Sequence, residues 1–138
     1  MTIEGAILAR LKAVTAITDI VGSGANARIY PRRLPQDPVL EAITFRLISA
    51  PRVHAFGSDP GLVESRWQVD AWAETYEQAR DLGDAIRGNG VGNAFSRFKG
   101  TLDSTVVQDV LLDNEIPTFE DESGSYRNMQ DYMIWYEE

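Results

Sequence analysis

The stretch ESRWQVDAWAETYEQARDLGDAIR, residues 64–87, constrains the fold most, because its hydrophobic period changes halfway along. Apolar and polar residues alternate up to Ala73, which is typical of a strand with one buried face. After Thr75 the apolar residues recur at every third or fourth position, which is typical of a helix that packs along one side. The sequence therefore predicts a strand that leads almost directly into a helix, with Trp72 on the polar face of the strand. The strand residues predicted to face the core are Val63, Trp67, Val69 and Ala71.

The ends of the predicted helix have their own signals. Thr75 and Gln78 are spaced as a capping box, in which side chains satisfy the first free N–H groups. Gly83 within the helix is expected to weaken it by about 1 kcal/mol relative to alanine. The glycine-rich segment GNGVG, residues 88–92, resembles a phosphate-binding loop only superficially, because such loops precede a helix N-terminus. Here the segment follows the helix, and we interpret it as a helix stop.

A second amphipathic helix is predicted at the N-terminus. Its apolar stripe has spacings of four, four and three, and Thr2 is placed to cap it. A further short helical turn is predicted through residues 17–21, ended by GSGAN. The residues of the apolar stripe are Ile3, Ile7, Leu11 and Val14.

The other segments predict strands. RIYPRRLPQDP, residues 28–38, is interpreted as a brief strand that breaks into a proline-rich loop. Residues 42–48 alternate as a strand, and residues 104–112 and 126–136 are predicted to form a hairpin. The thirteen residues 113–125 between them are predicted to be a long acidic tip, functional or mobile rather than a simple turn. The predicted fold is a single α+β domain over residues 1–138, with an antiparallel or mixed sheet of about four to five strands and two main helices.

The distribution of charge narrows the class of partner. The formal net charge is −8, and residues 113–138 hold eight acidic side chains against one arginine. That segment carries a net −7, which leaves −1 for residues 1–112. An acidic surface repels phosphate, so a general nucleic-acid-binding protein is disfavoured. Arg32 and Arg33 still allow a small basic patch.

The sequence predicts no catalytic, cofactor-binding or metal-binding site. The chain has no cysteine, which excludes thiolate zinc sites and disulfides and suits a reducing cytoplasm. Its single histidine, His54, is predicted to be an ordinary loop residue, and Asp70 and Glu74 are interpreted as solvated charges. A small hydrolase with a carboxylate-bound metal stays as an alternative without a visible ligand cluster. The first residues, MTIEGAILARLKAV, predict neither a signal peptide nor a membrane span.

The order of segments and several local patterns resemble the tail completion, or tail terminator, proteins of long-tailed bacteriophages. The resemblance covers nearly the whole chain. It rests on the strand end Ile29–Tyr30–Pro31, the pair Leu34–Pro35, and the run Trp67–Gln68–Val69–Asp70 before Trp72. Ala79 and Arg80 in the following helix, and the ending SGSYRNMQDYMIWY, complete it.

The resemblance implies a structural role and particular partners. Such proteins form rings, typically homo-hexamers, that cap the tail tube, stop its growth and present a surface to a head–tail connector or stopper protein. DNA passes through the ring without sequence-specific binding. The implied location is the neck end of the virion tail, after assembly in the host bacterial cytoplasm. Two alternatives stay open: a head–tail joining protein of the neck, and a non-viral α+β binding module.

Nine residues are predicted to contribute to interfaces. Trp72 interrupts the polar face of its strand, and tryptophan is common among interface anchors. The acidic tip mixes charges with apolar side chains that could order on a partner. The predicted interface residues are Trp72, Arg32, Arg33, Glu115, Ile116, Phe119, Glu120, Asp121 and Glu122.

Overall fold

Three helices lie against one face of a six-stranded sheet in the computed structural model, which describes residues 2–58, 60–88 and 94–138. The helices are α1 (Ile3–Ala13), α2 (Thr15–Val21) and α3 (Tyr76–Arg87). The strands are β1 (Ile29–Pro31), β2 (Ala42–Ser49), β3 (Leu62–Ala73), β4 (Gly100–Leu102), β5 (Thr105–Glu120) and β6 (Ser125–Glu137). The α+β class is therefore confirmed.

The change of period in residues 64–87 marks a real strand-to-helix transition, from β3 into α3. The Thr75 hydroxyl accepts a hydrogen bond from the Gln78 backbone N–H at 3.2 Å, so the predicted N-cap is confirmed. Thr2 caps α1 in the same way, through the backbone N–H of Gly5. Gly88 ends α3 with a positive φ of 66°. The rest of the predicted helix stop, residues 89–92, lies outside the described residues.

The sheet is mixed, and its strand order is β1-β2-β3-β6-β5-β4. β1 runs parallel to β2, and every other neighbouring pair is antiparallel. The predicted count of about four to five strands was too low, since the sheet has six, whereas the two main helices and the short helical turn predicted through residues 17–21 correspond to α1, α3 and α2. The missed strand, β4, has three residues and so shows no period of its own. A two-residue turn at Asp103 and Ser104, both with positive φ, joins it to β5 as tight hairpins require.

The predicted long tip at residues 113–125 was wrong in its conformation. β5 continues through Glu120, β6 begins at Ser125, and only residues 121–124 form the turn. Cross-strand pairs extend the ladder, including the rings of Phe119 and Tyr126, whose centroids lie 4.9 Å apart. Pro117 does not break the ladder because β5 is an edge strand there, where some N–H groups need no partner.

The core lies between the helices and one face of the sheet. The predicted inward face of β3 is confirmed, since Val63, Trp67, Val69 and Ala71 are all buried. The helices contribute the apolar stripes of α1 and α3, including Ile7, Leu11, Leu82 and Ile86.

Gly83 allows α3 to approach the sheet closely. A methyl group at this position would overlap the side-chain amide of Asn128 on β6. The carbonyl oxygen of Gly83 also accepts a hydrogen bond from Gln130 Nε2 at 2.9 Å. The glycine that weakens the isolated helix is therefore required for packing.

Among the described residues, no helix combines the length and apolar character needed to cross a bilayer.

Candidate functional site

The sheet face opposite the helices carries a polar cluster where β2, β3 and β6 run side by side. Thr44 pairs with Asp70, and Trp72 pairs with Arg127, in the register of these strands. The Trp72 indole N–H donates to the Thr44 hydroxyl at 2.9 Å. Side chains from three adjacent strands are thus joined on one face, because alternate residues of each strand point the same way.

Asp70 is buried within this cluster, with 3% of its surface exposed, so its interpretation as a solvated charge was wrong. Its carboxylate accepts hydrogen bonds from Gln68 Nε2, at 3.0 and 3.1 Å, and from Arg127 Nη2 at 2.9 Å. Burial raises the pKa of Asp70, and the guanidinium of Arg127 and the Gln68 amide oppose that rise. Glu74, in contrast, is exposed.

Arg127 links the cluster to the β5–β6 hairpin. Its Nη2 contacts Asp70 and its Nη1 contacts Glu120 Oε1 at 2.9 Å, so one guanidinium binds two carboxylates. The same guanidinium lies over the ring of Trp72, 4.9 Å from its centroid. Such stacking adds to the ion pairs, because the face of an indole ring attracts a cation.

The loop that follows β1 closes one side of this cluster and forms a depression of about 370 Å³, which we call the arginine notch. Arg32 begins this loop with a positive φ of 73°, and its backbone N–H donates to the Phe45 carbonyl at 2.7 Å. Four arginines and one carboxylate line the notch. Its lining residues are Arg32, Arg33, Leu34, Thr44, Arg46, Asp70, Trp72 and Arg127.

The chemistry of the notch is that of anion recognition. Guanidinium groups present forked N–H donors that match carboxylate and phosphate oxygens.

In the described part of the chain, no group of three or more histidine, cysteine, aspartate or glutamate side chains could hold a metal ion. His54 lies exposed in the loop between β2 and β3.

Seven of the nine predicted interface residues fall into three places. Arg32, Arg33 and Trp72 meet in the notch, although they are far apart in the sequence. The side chains of Ile116 and Phe119 are each 46% exposed near the end of the hairpin. Asp121 and Glu122 lie exposed in the turn.

The carboxylates of Glu115 and Glu120 are engaged within the chain. Glu115 Oε2 accepts from Asn128 Nδ2 at 3.0 Å and from Gln130 Nε2 at 2.8 Å. Both amides are fully buried, so this carboxylate satisfies groups that water cannot reach. The Glu120 carboxylate accepts a hydrogen bond from Arg127 Nη1.

Sequence reasoning missed Arg46, Asp70 and Arg127 as members of the site. Arg46 Nη2 donates to Gln68 Oε1 at 3.2 Å, which attaches it to the same cluster. One signal was present: Trp72 on an otherwise polar face indicates that this face is covered at that point. The convergence with Arg32 and Arg33 depends on strand order, which the sequence does not display.

The chain is similar to a known protein family and to a chain of a solved virion structure. The family model described as Tail completion protein gp17 matches residues 5–137. No curated protein matches the chain. A chain from a structure described as the virion of a native gene transfer agent particle is similar in fold, with a TM-score of 0.65 and 12% sequence identity. That similarity covers 96% of this chain and 92% of the other.

Proposed function

Because this chain belongs to the family of the tail completion protein gp17, and is a structural protein of the virion tail, we propose that it closes the tail tube as a ring. In this proposal six copies sit on the end of the tube, stop its elongation and present the surface to which a head connector or stopper protein binds. DNA passes through the ring without being read. The single observation that carries the proposal is the family match over residues 5–137.

The strand edges support repeated contacts between copies. Within the described residues, β5 from Leu111 to Glu120 has no strand on its outer side. At the other edge, β1 pairs with β2 only as far as Phe45, so Arg46–Ser49 is also open. Open edges present unpaired N–H and C=O groups, and two different patches on each copy generate a closed ring when the rotation fits.

The charge of the chain suits passage of DNA. A lumen that held many phosphates would bind DNA with strong, salt-dependent affinity and slow its movement. The net charge of −8 opposes such binding.

In the same proposal the hairpin end, with Ile116, Phe119, Asp121 and Glu122, contacts neighbouring virion proteins. Glu115 and Glu120 support the hairpin from within the chain.

The first test is direct imaging of tube ends. Purified protein is mixed with purified tail tubes and examined by negative-stain microscopy. A six-fold ring at one end of the tubes is the expected result, and tubes whose ends stay bare would overturn the proposal. Ile116→Ser tests the hairpin end, and Phe56→Ser is its matched control, because both side chains are apolar and exposed. We expect only Ile116→Ser to lower the fraction of capped tubes.

The second test separates tube capping from the alternative role in head–tail joining. Tails are assembled with and without the protein, and their lengths and head attachment are measured. A tube-capping protein is required for a defined end, so its removal gives tubes of irregular length. Tubes of normal length that fail only to join heads would favour the neck protein instead.

A further inference from the structure

We propose that the arginine notch of one copy receives the hairpin turn, residues 121–124, of a second copy. The inference rests on the proposed function, since it names the contact by which neighbouring copies recognise one another. It concerns a basic and an acidic surface of this chain, and within one copy the described residues show no ion pair between Asp121 or Glu122 and the notch arginines.

The notch retains positive charge after its internal pairings. Arg127 is engaged by Asp70 and Glu120, whereas Arg46 donates to the neutral amide of Gln68. In the described part of the chain, the side chains of Arg32 and Arg33 make no hydrogen bond or ion pair. The four guanidinium groups face the carboxylates of Asp70 and Glu120, which leaves a net charge of +2 at the notch in a chain whose net charge is −8.

The same arginines extend this basic surface around the sheet edge. Arg32, Arg33 and Arg46 also line a neighbouring depression of about 460 Å³, which includes Glu4. Glu4 forms no ion pair with them in the described residues. The positive φ of Arg32, unusual for a residue other than glycine, fixes the backbone where both depressions meet. A strained residue beside unpaired charges is typical of a binding surface.

The hairpin turn presents the complementary charge. Asp121 and Glu122 are exposed and make no ion pair within the described residues. The turn is closed by the Gly124 backbone N–H, which donates to the Glu120 carbonyl at 2.9 Å, and by the positive φ of Gly124. Two carboxylates on a closed turn lose little freedom when they bind, which favours a specific contact.

The two surfaces face different directions. The notch opens on a face of the sheet, because its lining residues alternate along β2 and β3. The turn continues the direction of β5 and β6, beyond the end of β3. Each copy thus offers one basic and one acidic patch, which is the arrangement that a head-to-tail assembly requires.

A protein carboxylate fits the notch better than a DNA phosphate. Asp70 lies inside the notch and Glu120 is adjacent, and both repel any anion, so the notch favours the two carboxylates of one turn over the continuous row of charges on a DNA backbone. Forked pairing with guanidinium groups serves a carboxylate equally well. Binding of DNA at the notch in place of the turn would assign the notch to phosphate.

Charge reversal gives the first test. Arg32→Glu with Arg33→Glu, or Asp121→Lys with Glu122→Lys, is expected to raise the concentration needed for assembly on tubes about tenfold or more. The chain with all four changes is expected to assemble again, because its notch and turn are complementary once more. An equimolar mixture of the two double variants is also expected to assemble, since alternating copies match.

The control reverses charges on the opposite side of the molecule. Glu77→Lys with Arg80→Glu alters α3, which lies on the other face of the sheet, and is expected to leave assembly unchanged. All four positions in the notch and turn are exposed, so each variant should keep its melting temperature. Failure of the four-fold variant to assemble, while folded, would overturn the proposal.

A disulfide cross-link gives the second test. An equimolar mixture of the two cysteine variants loses as many positive as negative charges, so the net charge of the assembly is unchanged. The chain has no cysteine, so Arg33→Cys in one copy and Glu122→Cys in another introduce the only thiols. Oxidation of the mixed single variants on tubes is expected to give a mixed disulfide dimer. Arg80→Cys mixed with Glu122→Cys is the control and should give none. Equal yields from both mixtures would contradict the contact.

Two results distinguish this contact from the proposed function. Rings that cap tubes regardless of charge reversal would overturn the contact and leave the function standing. Assembly that follows the charge pattern without any tube capping would support the contact and overturn the function. Binding of a double-stranded oligonucleotide that is lost in Arg32→Glu/Arg33→Glu, with assembly unchanged, would assign the notch to phosphate.

Discussion

The guanidinium of Arg127 stacks on the ring of Trp72, with 4.9 Å between its central carbon and the ring centroid. The two residues face each other across β3 and β6, and the same guanidinium binds Asp70 and Glu120. This stack connects the hairpin to the centre of the sheet and forms one wall of the arginine notch. Trp72 is therefore partly engaged within its own chain, and only its remaining exposed surface can meet a partner.

The two tryptophans of β3 should differ in their effect on stability. Trp67 is 1% exposed, and Trp67→Ala is expected to cost about 3–5 kcal/mol as a buried aromatic truncation. Trp72→Ala removes the hydrogen bond to Thr44 and the stack on Arg127, which together are expected to cost about 1–2 kcal/mol. Urea unfolding of monomeric protein measures both values. Equal losses would contradict the difference in burial.

Gly83→Ala should destabilise the protein although alanine favours helices. The gain in helix propensity is about 1 kcal/mol, but the added methyl group overlaps the amide of Asn128. Overpacking of this kind typically costs about 1–3 kcal/mol, so we expect a net loss of stability of up to about 2 kcal/mol. A double-mutant cycle with Asn128→Ala measures the clash, since Gly83→Ala should cost less in that background. A cycle without coupling would show that α3 moves freely away from the sheet.

Glu115→Ala should destabilise the fold rather than act on a partner alone. It removes the acceptor of the buried Asn128 side-chain amide, whereas Gln130 Nε2 loses one of two acceptors and keeps the Gly83 carbonyl. An unpaired buried donor costs about 1–3 kcal/mol. Glu122→Ala, in the exposed turn, is the control and should leave the free energy of unfolding unchanged. A fully stable Glu115→Ala variant would contradict the structural role given to this carboxylate.

The burial of Asp70 predicts a specific pH dependence. Its folded-state pKa is raised, so the folded form binds the proton more tightly than the unfolded chain does. The stability that this group contributes is complete below its unfolded pKa of about 3.9 and is lost as the pH rises through the folded pKa. Arg46 and Arg127 face the carboxylate and limit the effect.

The measurement is the difference in unfolding free energy between wild type and Asp70→Asn. This difference removes the contributions of the other carboxylates. We expect wild type to lose stability relative to the variant as the pH rises above about 4. A difference that grows in favour of wild type over that range would mean that Arg127 outweighs burial.

Much of the fold could be read from the sequence because it is encoded in local periods. The alternation before Ala73 and the three-to-four spacing after Thr75 determine β3 and α3, and Thr2 and Thr75 mark the helix starts. These signals depend only on which residues must face a core and which can cap a free N–H. The resemblance to tail completion proteins rests on such local patterns, and the family match agrees with it.

The extent of the hairpin could not be read in the same way. The acids and Pro117 in residues 113–125 indicate a loop locally, whereas pairing with β6 extends the strand to Glu120. The deciding contacts are Phe119 with Tyr126 and Glu115 with Gln130, which join residues across the ladder. β4 escaped prediction because three residues are too few for a period.

What the sequence determined by itself was therefore the position of most helices and strands, their buried faces and the acidic character of the C-terminal end. Only the tertiary structure decided that Arg32, Arg46, Asp70 and Arg127 share one notch. Strand order and register bring these residues together from three strands and a loop, and both depend on long-range pairing. The burial of Asp70 has the same cause. Its position in the alternation of β3 puts it on the polar face, where a charged side chain is solvated unless residues distant in the sequence cover it.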